Sequence, residues 1–307
     1  MLHVLAVLAA ALLFGTTGTA QALGPSEATP LGIGVGRMVV GGTALAIVAF
    51  LLAARHGRRS PQQRPRLTPK PLALMAATGI ALAVYQPLFF LGTERNGVAV
   101  STVIALGSAP VLAGVLEWAL TRKLPSPTWV GATALSTAGV VLLGVGGGAG
   151  SGGADAVGVL AAVGAGASFA VIANAQRRLL DDGWDAFTVV GSMGAGSAVL
   201  CAAAIPFVDL AWIGDPGGMV LTLWLGLATI AAAYTMFTWG LQGLTAATAA
   251  TLTLGEPLTA ALLGVTLLGE QLSVLAIAGL TVLAGGLAAL AWGSRAARDP
   301  QPFAVEG

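Results

Sequence analysis

The run LTLGEPLTAALLGVTLLGEQLS, Leu252 to Ser273, decides how the rest of the chain is read. It is almost wholly apolar, yet Glu256 sits inside it beside Pro257, and a second carboxylate, Glu270, closes it. An apolar run of about 20 residues is long enough to cross a bilayer as a helix. With a span over residues 247–267, Glu256 lies nine residues in, about 13 Å deep at a rise of about 1.5 Å per residue. A carboxyl at that depth costs about 3 kcal/mol, so by default it marks a functional position. Pro257 has no N–H to offer the carbonyl of Thr253. That oxygen is expected to be a free acceptor facing protein or a wet cavity.

Composition agrees. The chain has 307 residues, 56% hydrophobic and 9% charged, with a mean hydropathy of +0.87. A soluble domain carries about 25% charged residues, so this is a polytopic membrane protein. The net charge of +1 points to no partner, and no basic stripe with interleaved aromatics suggests nucleic acid. The single cysteine, Cys201, excludes an intrachain disulfide and reads as a small apolar helix residue. The segment ending Ala20-Gln21-Ala22 has the A-x-A form of a signal-peptide site. It lacks a preceding Lys or Arg and is of span length, so it is read as a retained first helix.

Apolar runs mark ten spans, at about residues 2–22, 34–54, 71–92, 97–120, 128–145, 157–175, 186–207, 219–241, 247–267 and 274–292. With the N-terminus in the cytoplasm, twelve of the fourteen Lys and Arg residues fall on the inner side. Only Arg37 and Arg95 fall outside, as the positive-inside rule requires. The basic run from Arg55 to Lys70 reads as a stop-transfer loop. The glycine-rich GVGGGAGSGGA from Gly144 reads as a flexible outer linker, because it lacks the Lys-Ser/Thr of a phosphate loop.

The two halves match. ALGSAP (Ala105 to Pro110) is followed by Gly131, and TLGEP (Thr253 to Pro257) by Gly279. VLAA recurs at Val7 and Val159. The displacement is five spans, an odd number, so the second half must sit upside down. The expected fold is an all-α integral membrane protein of ten transmembrane helices in two inverted five-helix repeats. The expected boundaries are 1–146 for the first repeat, 147–155 for the linker, 156–293 for the second repeat and 294–307 for a cytoplasmic tail.

These features resemble the drug/metabolite transporter superfamily, specifically its EamA-type ten-helix members. The resemblance rests on FGTTGTAQAL (Phe14 to Leu23), on Arg37, on the proline-to-glycine pattern closing each half and, most specifically, on LGEPLTAALLGVTLLGEQLS. It covers essentially the whole chain. The first half departs from the pattern, with Arg122-Lys123 where many relatives carry another Glu. The resemblance implies inner-membrane export of small metabolites by alternating access, without fixing one substrate. No cofactor and no metal are expected. The partners expected are the lipid bilayer and a small-molecule substrate, driven by a proton gradient, another solute or the substrate's own gradient, and a homodimer is left open.

Glu256 leads the candidate site residues, binding a substrate amine or cycling a proton. Tyr85 and Gln86 in the third span and Tyr234 and Trp239 in the eighth are candidates for a cavity wall with few polar groups. Thr17 and Asn174 could donate to a solute, although such groups more often bond a neighbouring helix or their own backbone. Arg37 is read either as attracting an anion at the outer mouth, or pairing with Glu256 or Glu27, or as an interfacial snorkelling arginine. Pro87, Pro110 and Pro257 are candidate hinges. Glu117 is read as a surface ion pair with Arg122-Lys123, and Glu94-Arg95 as an outer-loop pair. With two histidines and no H-E-x-x-H, a membrane enzyme is disfavoured. The leading reading is a secondary-active exporter of amino acids or related metabolites. The alternatives are a multidrug or cationic-compound exporter and a passive channel-like facilitator.

Overall fold

The computed structural model describes residues 1–59, 65–147 and 155–296, and the side chains of all but 56–59 and 294–296 among these. The glycine-rich linker and the C-terminal tail lie largely outside the described residues, as does the centre of the basic run. The helices are α1 (Leu2–Ala22), α2 (Pro30–Arg59), α3 (Pro69–Thr121), α4 (Pro127–Gly146), α5 (Ala156–Asp181), α6 (Ala186–Ala204), α7 (Pro216–Leu223), α8 (Ala233–Leu241), α9 (Ala246–Leu252), α10 (Gly255–Leu267) and α11 (Val274–Ala296). A π-helical stretch, Trp224–Ala232, joins α7 to α8.

Nine helical stretches among the described residues are long and apolar enough to cross a membrane. One of them, α3, has 53 residues, about 80 Å if straight and far beyond a bilayer core of about 30 Å. It is not straight. Gly97 has φ 78° and ψ 160°, a conformation open to glycine at little cost, and the chain doubles back there. Tyr85 and Leu88 consequently pack with Ala105 in one cluster. The two arms of α3, residues 69–96 and 98–121, are the third and fourth crossings, which brings the total to ten.

The ends alternate between two faces. At the face where the chain begins, Lys70 pairs with Asp182 at 3.6 Å, and the Glu117 carboxylate accepts from the Ala247 amide at 2.7 Å. At the opposite face, the Asn96 side chain bonds both backbone groups of Asp155, at 2.7 and 3.0 Å. Ser273 there donates to the Gly146 carbonyl at 2.8 Å. Large apolar side chains such as Leu12, Ile47, Leu160 and Val199 are exposed on the outside of the bundle, the surface a lipid solvent favours.

The packing repeats under exchange of each crossing for the one five later. The first packs on the eighth and ninth, and the sixth on the third and fourth. The second packs on the eighth, and the seventh on the third. The second meets the seventh and the fifth meets the tenth, so these pairs map onto themselves. At both of these seams the contact is reciprocal. A Cβ on Gly42 would lie 2.8 Å from the Gly194 oxygen, and one on Gly194 would lie 2.8 Å from the Gly42 oxygen. Gly139 and Gly279 stand in the same relation, also at 2.8 Å. At the fifth–tenth seam the contacts of Gly139, on the Leu283 amide nitrogen and the Gly279 oxygen, are mirrored by those of Gly286, on the Ser136 amide nitrogen at 2.8 Å and the Ala132 oxygen at 3.0 Å. These correspondences fit a pseudo-two-fold axis, and the odd number of crossings per half makes the repeats antiparallel.

The ninth span departs from the expected continuous helix. It breaks at Thr253 and Leu254, between α9 and α10. The Thr253 carbonyl is not free, because the Glu256 amide donates to it at 2.9 Å. The chain answers the proline by tightening to a shorter-range bond and so satisfies the backbone locally.

A Cβ at Gly139 would also lie 2.5 Å from the Leu283 amide nitrogen. We expect Gly139→Ala to destabilise the protein by about 1–3 kcal/mol, the cost of overpacking. Gly131→Ala, where nothing lies within 4 Å of the added carbon, should be neutral or slightly stabilising. Apparent Tm in detergent checks both.

Candidate functional site

Between the two seams lies a cavity of about 360 Å³. It is built from the first, second, third, fourth, sixth, eighth and ninth crossings. Its walls include Phe14, Thr17, Gln21, Arg37, Tyr85, Gln86, Phe89, Phe90, Thr102, Phe169, Thr229, Tyr234, Thr253 and Glu256. Six of the eight candidate binding residues named from the sequence therefore come together here: Glu256, Tyr85, Gln86, Tyr234, Thr17 and Arg37.

Local sequence explains how each is held. Gly15 packs against the break in the ninth span, where a Cβ would meet the Glu256 carbonyl oxygen at 2.6 Å and the Thr259 Cβ at 2.5 Å. Only a glycine lets α1 come this close, and the approach sets Glu256 at the cavity wall in the first turn of α10. A helix N-terminus also favours negative charge. In the first half, Gly166 packs in the same way on the Ala105 oxygen and on Ser108. Ala105 is thus the counterpart of Glu256, one helical turn from the Ser108 that the motif alignment sets opposite it. The acid belongs to one half only.

Arg37 is buried, at 7% exposure. It is not an interfacial snorkelling residue, and it pairs with neither Glu256 nor Glu27. Among the described residues the ion pairs are Lys70–Asp182 and Arg177–Asp181, and Glu27 accepts from Ser26 at 3.0 Å. The Arg37 guanidinium donates through Nη2 to the Gln86 side-chain oxygen, while its Nε has no partner. Gly34, one turn before Arg37, lets Gln86 lie flush against α2, since a Cβ there would stand 2.8 Å from the Gln86 Cγ.

The aromatic wall is ordered by ring contacts. Tyr234 meets Phe14 edge-on at 5.1 Å, and Tyr85 stacks with Phe89 at 6.2 Å. The π-helical turn supplies Thr229 and Ile230 to the wall. Such segments recur at functional positions.

Most hydroxyls elsewhere in the bundle bond back to their own helix. Thr78, Ser168, Ser192, Ser197, Thr235 and Thr281 all do so. In the cavity wall Thr229 and Thr253 do the same, on the Leu225 and Ala250 carbonyls, but four other polar groups do not. Among the described residues, no protein group hydrogen-bonds the Glu256 carboxyl, the Tyr85 and Tyr234 hydroxyls, or the Thr17 hydroxyl. Polar groups that converge on one apolar cavity without protein partners form the arrangement expected of a small-molecule site.

Two candidates lie elsewhere. Asn174 is buried and spends its amide on the carbonyls of Ala113 and Ala170, at 3.1 and 3.0 Å. Trp239 is partly exposed at the face where the chain begins, stacked on His3 with ring centroids 4.5 Å apart. Of the prolines, Pro257 adjoins the break, Pro110 is buried in the fourth crossing, and Pro87 faces outward. Glu117 caps the start of α9 rather than pairing with Arg122-Lys123, and among the described residues Glu94 and Arg95 form no ion pair. Gln21, Phe14 and Thr102 were not among the sequence candidates. The i, i+3 and i+7 spacing of Phe14, Thr17 and Gln21 on α1 was the signal that could have found two of them.

The cavity reaches the face opposite the one where the chain begins. Gln21 and Val98 line it at the ends of their helices, and Val98 is 69% exposed. Toward the face where the chain begins, Leu82, Ile172, Phe237, Leu241, Ala249 and Ala250 fill the bundle as solid core. Polar bonds tie the helices together there. Thr251 accepts from the Trp129 indole at 3.1 Å and bonds Thr133 at 2.9 Å. Arg177 donates to the Leu241 and Leu244 carbonyls at 2.5 and 3.1 Å.

An inverted-repeat helical bundle with a solute-sized cavity at the repeat interface defines a membrane transporter of small molecules. The chain belongs to the EamA-like transporter family, whose model matches residues 1–145 and 156–292. It is 41% identical over 289 residues to the uncharacterized transporter YwfM of Bacillus subtilis (strain 168), covering 93% of this chain and 92% of that protein. A solved crystal structure of a protein 22% identical to it superposes with a TM-score of 0.77, over 94% of this chain and 98% of the other. That likeness speaks to the fold.

In a Cys201→Ala background, Gln21→Cys should react with a membrane-impermeant maleimide and Leu82→Cys should not. Labelling of intact cells, read by gel shift, checks the expectation.

Proposed function

We propose that the protein is a secondary-active exporter of amino acids or closely related metabolites, working by alternating access in a bacterial cytoplasmic membrane. The observation that carries the reading is the cavity itself, where one carboxyl, one guanidinium and an aromatic wall converge with few protein partners. The volume of about 360 Å³ lies at the small end of the range of about 300–1,000 Å³ for ligand sites. That suits an amino acid better than a drug-sized cation or a nucleotide sugar.

The first repeat is taken as residues 1–146, the linker as 147–155, the second repeat as 156–293 and the tail as 294–307. The positive-inside distribution supports cytoplasmic termini. The open side of the cavity then faces outward, and the closed side, tied by Glu117, Thr251 and Arg177, is the inner gate. Glu256 is the group that exchanges a proton against substrate. A multidrug or cationic-compound exporter would need Glu256 alone, and the buried Arg37 in the same wall opposes a lone cation.

Purified protein in proteoliposomes should give saturable counterflow of radiolabelled L-leucine or L-phenylalanine. Flux that rises linearly with concentration would mark a passive pore, and counterflow of cationic dyes alone would mark a drug exporter. Glu256→Gln should lower proton-driven transport at least tenfold, or abolish its dependence on pH, while membrane expression stays unchanged. Unaltered transport in both respects would remove Glu256 from the mechanism.

Glu117→Ala should loosen the inner gate, since a hydrogen bond to a charged group is worth about 1.5–3 kcal/mol. Faster maleimide labelling of Ala250→Cys, in the Cys201→Ala background and from the inner side of inverted vesicles, is the expected readout.

A further inference from the structure

We propose that Arg37, positioned by Gln86, is the carboxylate-binding group of the cavity and that the ligand is a zwitterion with an apolar or aromatic side chain. This rests on the transporter reading above and adds the chemistry of recognition to it.

A guanidinium buried in the membrane interior is expensive and persists where it is paired or functional. Arg37 has no carboxylate within ion-pair distance among the described residues. Its one side-chain partner is the neutral Gln86 oxygen, which leaves its charge without a counter-ion in contact, although Glu256 acts on it across the cavity. Its Nε is buried and unpartnered. The guanidinium is a planar fork that matches a carboxylate through two parallel N–H donors. Gln86 holds one side of that fork from the third crossing, so the group is oriented before a ligand arrives and little further ordering is needed on binding.

The second charge comes from the other half. Glu256 lines the same cavity and no protein group bonds its carboxyl. A ligand with a carboxylate and an ammonium on adjacent atoms satisfies the two fixed charges together. A plain amine would leave Arg37 without a charge in contact, and a plain acid would leave Glu256 so. Phe14, Phe89, Phe90 and Phe169 on the wall offer no third charge and would take an apolar side chain.

The test compares L-phenylalanine, phenethylamine (which lacks the carboxylate) and hydrocinnamate (which lacks the ammonium) for binding to the purified full-length protein by microscale thermophoresis. Wild type should bind L-phenylalanine roughly ten- to a hundredfold more tightly than phenethylamine, the worth of a charge-assisted hydrogen bond. Arg37→Gln should bring that ratio close to one, and Arg37→Lys should leave it intermediate, with the charge kept and the fork lost. Gln86→Leu should weaken L-phenylalanine more than phenethylamine.

Equal wild-type affinity for L-phenylalanine and phenethylamine would overturn the proposal without any variant, which covers the case in which Arg37→Gln does not fold. An undiminished ratio in a folded Arg37→Gln protein would also overturn it. The two readings fail separately. Counterflow of L-phenylalanine that ignores Arg37 would leave the exporter standing and remove the carboxylate site. Arg37-dependent binding of hydrocinnamate without counterflow of any amino acid would keep the carboxylate group and remove amino-acid export.

Discussion

The architecture depends on how closely two backbones approach at Gly42 and Gly194 on one side, and at Gly139 and Gly279 on the other. In lipid there is little hydrophobic drive to bring helices together, so association relies on close packing of small residues. At each seam a glycine faces a glycine, and an added carbon would stand 2.8 Å from the opposite carbonyl oxygen. These contacts hold the repeats in antiparallel register and leave a space between the seams. Gly41 against Gly226 and Gly79 against Gly196 extend the same device to the neighbouring crossings. The abundance of glycine, 44 residues in all, has a concrete use at these places.

Symmetry of scaffold does not bring symmetry of chemistry. The matching contacts of Gly15 and Gly166 set Ala105 at the place that Glu256 holds in the other half. By the Gly42–Gly194 correspondence they set Val189, fully buried in α6, at the place of Arg37. Each half therefore contributes one charge of opposite sign. A ligand that bridges them binds both halves at once, and its affinity differs between arrangements that bring the charges nearer or farther. Only such differential affinity can shift a conformational equilibrium. The packed core and polar ties at the face where the chain begins supply the closed side that such a shift would have to open.

Much of this was legible in the sequence because lipid imposes strong patterns. Apolar run lengths and the distribution of Arg and Lys gave the crossings, including the two that meet at Gly97 inside one helical stretch. Glu256 stood out because a carboxyl at membrane depth is rare, and it lines the cavity. Local bonding was less legible. The freed Thr253 carbonyl found the Glu256 amide, since a broken helix can rewind by one residue. Arg37 looked interfacial because it follows closely on the start of its span. Tertiary packing buried it against Gln86, and no periodicity within α2 records what the third crossing presents. Asn174, Glu117 and Trp239 are polar or amphipathic residues whose partners lie 61, 130 and 236 residues away in the chain. Residue type alone could not tell a solute-facing group from a cap or a helix tie.

The most direct test of two inverted halves alternating around one cavity is a pair of distances along the fourth and ninth crossings, measured by double electron–electron resonance. One spin-label pair at Arg122 and Thr245 reports the face where the chain begins, and another at Val98 and Leu267 reports the opposite face. With a transported amino acid added, the account predicts that the first distance lengthens and the second shortens in the same molecules. Both distances staying fixed while transport proceeds would contradict it.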